Sequence, residues 1–427
     1  MIELCKELYP INRSITGNGV RESLGILKRK IPIELHEVPS GTKVLDWTVP
    51  REWNVEEAFI IDLGTGKKVV DFADCNLHLV GYSVPVDREM DFETLKPHLF
   101  TLEEQPDAIP YITSYYKEFW GFCLSFQAYQ AIDKNARFRV FIKSTLTDGS
   151  LTYADLVIPG KLKEEVFLST YICHPSMVNN ELSGPVVATY LADWLLKKTD
   201  RKYTYRFVFI PETIGSITYL SLHLNELKRK VVGGYNITCV GDERDFSYLS
   251  SRYGDTLADK ISLHVLRNSV AYRSYSFLDR GSDERQYCAP GIDLPICSIM
   301  RTKFGAYPEY HTSLDNFDLV TEEGLQGSLE IYKKCLELFE RNFIPRVTVL
   351  GEPQLGRRGL YPSVSTKNTR QIVGHMMDFI AYADGSNDLV DICDIIGIPY
   401  WDTDSFLPAL LQEGVVEAIP AKTIRPE

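Results

Sequence analysis

One stretch constrains this chain more than any other, Glu165-Val-Phe-Leu-Ser-Thr-Tyr-Ile-Cys-His-Pro-Ser-Met-Val-Asn-Asn-Glu-Leu-Ser-Gly184. Val166 to Ile172 is rich in β-branched and aromatic residues and reads as a buried strand, whereas apolar residues recur at helical spacing from Gly184 onward. The order is strand, loop, helix. Ligands of an open α/β sheet gather outside the carboxyl ends of its strands. His174 at the strand end and Asn179-Asn180-Glu181 just before the helix are therefore placed to share a metal ion. A lone histidine at a strand end more often serves its loop, so the reading rests on a second one, His311, in a similar setting.

A chain of 427 residues is long enough for two or three domains. Residues 1–40 hold two helix-like stretches around Asn12-Arg-Ser-Ile-Thr-Gly-Asn-Gly. From 41 to 142 short strand-like runs such as Glu57-Ala-Phe-Ile-Ile-Asp and Lys67-Lys-Val-Val-Asp-Phe predict a small β-rich module inserted into an α/β chain. Residues 143–345 alternate strands and helices. From 346 to 427, Asp388-Leu-Val-Asp-Ile-Cys-Asp-Ile-Ile-Gly and Asp402-Thr-Asp-Ser-Phe-Leu-Pro resemble the second and third helices of a winged helix. That second segment carries Asp402, Asp404 and Glu413 but no Lys or Arg, which favours a protein contact over DNA reading. A net charge of −12 likewise argues against nucleic-acid binding, which rests on neutralising phosphates. No apolar run is long enough to cross a bilayer, and the first residues form no secretion signal. Nine cysteines without paired spacing suit a reducing compartment, so the expectation is a cytoplasmic protein with no membrane partner.

The strand ends of the α/β region collect His174, Asn180 or Glu181, Glu212, Asp242, Asp283 and His311. Histidines and carboxylates from separate loops suit Zn²⁺, which is held by three protein groups when a water must occupy the remaining position. A carboxylate off the metal would take the proton from that water. Such a set specifies metal-assisted hydrolysis.

Cys173-His174-Pro-Ser, Asn-Glu-Leu-Ser-Gly184, Pro211-Glu212-Thr-Ile-Gly-Ser216, Gly281-Ser-Asp283 and Tyr310-His311-Thr-Ser-Leu-Asp315 follow one another as they do in the zinc-dependent exopeptidases of the bacterial leucyl-aminopeptidase and glutamate-carboxypeptidase type. The whole chain more closely resembles a bacterial group of aminopeptidase-like domain proteins of unknown function, some linked to polysaccharide biosynthesis. The resemblance implies an α/β fold in which helices flank a zinc-exopeptidase-like mixed sheet, with an inserted β-rich domain and a C-terminal winged-helix-like domain. It implies that His174 and His311 are metal ligands, with one or two zinc ions.

This sequence departs from the family at three positions. The bridging aspartate is replaced by Asn180, with Glu181 one residue later as a possible substitute. The usual Glu-Glu pair, base then ligand, is reduced to Glu212-Thr213, and we read Glu212 as the base. The third acidic ligand aligns nearer Thr238 than Asp242, which leaves Asp242 either a ligand or a loop residue. By the same resemblance Asp283 orients a ligand. Arg285 is near enough in sequence to face the cleft, and Tyr310 could donate to an oxyanion.

The expected function is a zinc aminopeptidase or related exopeptidase acting on a small peptide or amide. The alternative is a degenerate hydrolase fold that binds or scaffolds. The insert and the tail offer surfaces for a homo-oligomer or a protein partner.

Overall fold

The computed structural model describes residues 1–361 and 367–419. It divides into two compact units, the first formed by Met1–Thr256 with Arg273–Glu330, the second by Leu257–Tyr272 with Ile331–Glu427.

The first unit is built on an eight-stranded mixed sheet. Its strands are β1 (Glu34–Pro39), β2 (Ser150–Ile158), β3 (Glu165–Tyr171), β4 (Thr204–Ile210), β5 (Val231–Asn236), β6 (Ser247–Leu249), β7 (Arg273–Tyr275) and β8 (Ile296–Met300), in the spatial order β1-β2-β4-β3-β5-β8-β6-β7. The central strands β4, β3, β5 and β8 run parallel. Every residue of β3 and β4 is buried, as a parallel strand covered on both faces requires. The helices Ser183–Leu196 and Ile214–Lys230 directly follow these two strands. Gly184 lets the first of them approach the sheet, because a Cβ there would lie 2.4 Å from the carbonyl oxygen of Ile237 and 2.5 Å from Thr170 Oγ1.

The inserted module leaves and re-enters at one point. Pro39 of β1 faces Ser150 of β2, and Ser40 N–H donates to the Gly149 carbonyl at 2.9 Å. Between them an antiparallel sheet is formed by Lys68–Asp71, Glu52–Asp62, Arg137–Thr147 and Val86–Asp91, in that order. The sequence-based boundary at 142 falls inside the strand Arg137–Thr147, so the insert closes at residue 149. The alternation of that strand is continuous with the strand-like runs before it, and only its partners show where it belongs. The module's aromatics serve its own core, with Trp53 stacked on Tyr82 at 5.7 Å between centroids.

The second unit pairs Ile344–Val347 with Val416–Ile419 around the helices Lys367–Tyr382, Leu389–Ile396 and Leu407–Gln412. Asp388 caps the second helix in a reciprocal box with Asp391. The helix Leu257–Arg267 joins this unit from earlier in the chain, where His264, wholly buried, accepts from Tyr400 N–H at 3.0 Å and donates to Asp394 at 2.7 Å. Asp404, on the segment expected to make a protein contact, is paired with Arg341. Residues 362–366 and 420–427 of the expected C-terminal domain lie outside the described residues. No described helix is long and apolar enough to cross a membrane.

Candidate active site

The sequence places its polar strand ends at the carboxyl edge of the sheet, and three loops there carry the chemistry. The loop after β3 bears His174, 4% exposed. Its Nδ1 lies 2.9 Å from Glu181 Oε2 and 3.4 Å from Cys173 Sγ. A nitrogen carrying one hydrogen satisfies the better acceptor, the carboxylate, and this turns Nε2 toward Glu212 Oε2, 3.6 Å away. Burial pushes His174 down, but Cys173 and Glu181 more than offset it and hold its titration well above the usual histidine range.

Behind His174 lies a group the sequence did not announce. Arg13, 1% exposed, donates from Nε to the His174 carbonyl at 3.0 Å and from Nη1 to the Leu8 carbonyl at 2.6 Å. The same Nε is 3.4 Å from Glu181 Oε1, with both side chains fully buried. Glu181 is thus held between a cation and an imidazole.

The turn Val178–Leu182 that carries Asn180 and Glu181 is anchored by Asp315. Its carboxylate accepts from Asn179 N–H at 2.6 Å, Asn180 N–H at 2.8 Å and Val178 N–H at 3.1 Å, and burial nevertheless pushes it up to about 6. An acidic side chain is suited to the amide ends of a helical turn. Asn180 Nδ2 donates to Tyr171 Oη at 2.9 Å, while its buried Oδ1 has no hydrogen-bond partner.

Glu212 follows β4 at a strained turn. Thr213 has φ 64° and ψ −74°, and Ile214 N–H donates to the Glu212 carbonyl at 2.8 Å, the signature of the rare γ-turn. Asp283 Oδ1 fixes that turn by accepting from Thr213 N–H at 2.8 Å and Ser216 Oγ at 2.7 Å. Arg285 Nη2 donates to Thr213 Oγ1 at 2.7 Å. Burial raises the Glu212 carboxyl against the opposing charge of His174, and Asp283 is pushed up to about 7 by burial and by Glu212. Left-handed, non-glycine backbone also occurs at Ser176 (φ 41°) and His311 (φ 57°), so each of the three loops contains a residue of this kind.

His311 stands on the third loop, its ring centre 5.6 Å from that of His174. Tyr310 stacks on it at 3.9 Å, and its buried Nε2 has no partner. Burial and the charge on His174 lower it to about 3, so it is a neutral imidazole with a free lone pair. The insert completes this wall. Tyr111 N–H donates to the His311 carbonyl at 2.9 Å, and its ring meets His174 at 5.0 Å and His311 at 5.3 Å edge-on.

The structure brings His174, His311 and Glu212 to one place, with Asp283, Arg285 and Tyr310 around them. Asp242 does not join them. Its carboxylate receives four donors, from Asn179 Nδ2, Arg244 N–H, Thr302 N–H and Thr302 Oγ1, and this assigns it to its loop. The roles of Arg13, Cys173, Tyr111 and Asp315 were missed by sequence reasoning, although Cys173 and Asp315 stood within recognised motifs.

The donor set fits a metal ion on one side of His174. Among the described residues, Cys173, His174 and Glu181 are the group whose ligand atoms lie within 4.8 Å of one another. That group uses Nδ1, however, which is engaged by Glu181. The Cys173 thiol is pushed up to about 11 by burial, and Arg13 already stands beside Glu181. The opposite side offers His174 Nε2, the unpartnered His311 Nε2 and Glu212, donors suited to Zn²⁺.

Comparison with known proteins agrees with this architecture. Residues 2–342 match the family described as a domain of unknown function, DUF4910, and residues 343–418 match a winged helix-turn-helix family. A Clostridium acetobutylicum protein, whose name refers to polysaccharide biosynthesis and an aminopeptidase-like domain, is 44% identical over 400 residues, 93% of this chain and 91% of that one. A crystal structure of a C. acetobutylicum protein named as a peptidase is 42% identical with a TM-score of 0.91, covering 98% of this chain and 95% of that one. A zinc aminopeptidase of Bacillus subtilis shares the fold at 12% identity, with a TM-score of 0.55 over 79% of this chain and 92% of that one.

Proposed function

Since the chain belongs to the DUF4910 family of aminopeptidase-like proteins, we propose that it is a metal-dependent hydrolase of a peptide or related amide bond. The observation that carries this reading is His174 Nε2 lying 3.6 Å from Glu212, with the ring of His311, whose Nε2 is unpartnered, centred 5.6 Å from that of His174 at the carboxyl edge of the sheet. His174 and His311 would hold the ion, and when bound it would supply Lewis acidity toward the amide carbonyl and acidify a water.

The chain's own residues would do the rest. Glu181, backed by Arg13, holds the His174 ring with Nε2 forward. Burial keeps the Glu212 carboxyl raised, as suits a group that accepts a proton from water and returns it to the leaving amine. Asp283 and the Thr213 turn fix its direction. Tyr310 has a hydroxyl with no hydrogen-bond partner among the described residues and is our candidate donor to the oxyanion. Tyr111 and the insert exclude water from the histidines. Loading requires His174 Nε2 to be free of its proton, so metal uptake would release protons and weaken in acid.

The test is metal content and peptide hydrolysis of the zinc-supplemented protein. The expected result is zinc bound by the wild type, lost in His174→Ala and in His311→Ala, and retained without activity in Glu212→Gln. A fully active Glu212→Gln variant would refute the base assignment. The replacement of expected carboxylates by Asn180 and Thr213 favours a second reading, a hydrolase fold kept as a binding protein. A wild type that takes up no zinc would support it. We further propose a small peptide or amide substrate, no nucleic-acid or membrane partner, and a homo-oligomer or protein contact made through the insert or the tail.

A further inference from the structure

We infer that the substrate presents a carboxylate beside the cleaved amide, seated by Arg285, and not a free amino terminus. This rests on the hydrolase reading and specifies its substrate class. A free ammonium group needs an accessible, uncommitted carboxylate at the cleft, and the carboxylates around Glu212 are either paired or, as with the unpartnered Oδ2 of Asp283, wholly buried. Glu181 is taken by His174 and Arg13. Asp242 has four donors and Asp315 three backbone amides. Glu284 accepts from Gly281 N–H, Ser282 N–H and Asn236 Nδ2, and Glu309 is paired with Arg244. Asp283 is wholly buried and occupied on one oxygen by Thr213 and Ser216. An ammonium would be left to pair with Glu212 itself, silencing the base.

The cation side is the reverse. Arg285 is exposed on the short helix Glu284–Tyr287 and makes one side-chain hydrogen bond, to Thr213 Oγ1, and no ion pair among the described residues. The rest of its guanidinium fork is free for an anion. Its Nη2 bonds the hydroxyl of Thr213, the residue that follows Glu212, so the guanidinium sits beside the turn that carries the base. A planar fork beside the base is suited to bidentate carboxylate recognition.

Three probes at matched length separate the possibilities: N-acetyl-Ala-Ala with a free carboxylate, its C-terminal amide, and Ala-Ala-amide with a free amine. Binding is read by calorimetry on the zinc-supplemented Glu212→Gln protein, and turnover by amine release with the wild type. We expect the free carboxylate to bind roughly tenfold or more tightly than either other probe, as a charge-assisted hydrogen bond allows. Arg285→Met should erase that preference and Arg285→Lys should restore part of it. Arg285 is exposed, so both variants should keep the wild-type melting temperature. Equal binding of all three probes, preference for the free amine, no binding of any probe, or a preference that survives Arg285→Met would overturn the inference. The two readings fail separately. Carboxylate-selective binding without hydrolysis would remove the hydrolase and leave the Arg285 site, whereas hydrolysis indifferent to the carboxylate would do the opposite.

Discussion

Replacing Arg13 by Met should be among the most damaging single changes available in the first unit, although the residue lies outside every recognised motif. Its Nε is 3.4 Å from Glu181 Oε1 and both side chains are fully buried. At an effective dielectric constant of about 20, unit charges at that separation attract by about 5 kcal/mol. Removing one partner of a buried pair typically costs about 3–5 kcal/mol, because the other charge is left uncompensated. The Leu8 and His174 carbonyls also lose their donor. Glu181→Gln is the informative partner, since an amide oxygen can still accept from His174 Nδ1. Tryptophan fluorescence in urea would give the midpoints of wild type, both single variants and the double variant. We expect Arg13→Met to cost about 3–5 kcal/mol. The double variant should cost about 2 kcal/mol less than the sum of the singles, within the range measured for contacting residues. Strict additivity, or a cost for Arg13→Met below about 1 kcal/mol, would refute the claim that this pair holds the loop.

Three further outcomes follow from the same geometry. Asp283 is raised from its ordinary 3.8 to about 7, so the folded protein holds its proton where the unfolded chain has released it; its contribution to stability is present below 3.8 and lost as pH rises to about 7. Asp283→Asn keeps an acceptor for Thr213 and Ser216, so the metal-free variant should lose less stability than wild type between pH 5 and 8, and equal losses in urea melts would argue against a buried proton. In Tyr111→Ala the burial that lowers His311 to about 3 is relieved, and NMR titration should find it moved up toward 6.5. Gly184→Val should melt well below wild type in a thermal scan, since even a Cβ would sit 2.4 Å from the Ile237 carbonyl oxygen.

Legibility followed periodicity. The strands β3 and β4 and the helices after them were readable because wholly buried parallel strands and apolar residues at helical spacing leave distinct patterns, and His174 and Glu212 were singled out because they lie just past such strands, whereas His311 was singled out by its motif. Arg13 was not found because a lone arginine in a polar loop carries no periodic signal, and its burial depends on a contact 161 residues away. Tyr111 was hidden for a like reason. It sits in a module whose aromatics mostly pack on one another, and only its hydrogen bond to the His311 carbonyl and its ring contacts with both histidines show that the insert reaches the site. Asp242 was left open between ligand and loop residue because a carboxylate at a strand end looks the same in sequence whether it meets a ligand or, as here, four local donors.

The electrostatics of the cleft also bear on how many ions it would hold. A pair of divalent cations held close together must be offset by negative ligands, commonly a carboxylate between them. Where the exopeptidases that the sequence resembles carry a bridging aspartate, this chain has Asn180, which is uncharged, and the position after Glu212 is Thr213. Glu181, the nearest substitute, faces His174 Nδ1 and is already balanced by Arg13. Glu212 is then the carboxylate left beside His174, while Asp283, pushed up to about 7, is only about half ionised at neutral pH. One divalent ion matches that charge and two do not, so elemental analysis of the zinc-supplemented protein should find about one equivalent. Two equivalents, both lost in Glu181→Gln, would mean that Glu181 leaves Arg13 to bridge them, and the view of Glu181 as the brace behind His174 would have to be given up.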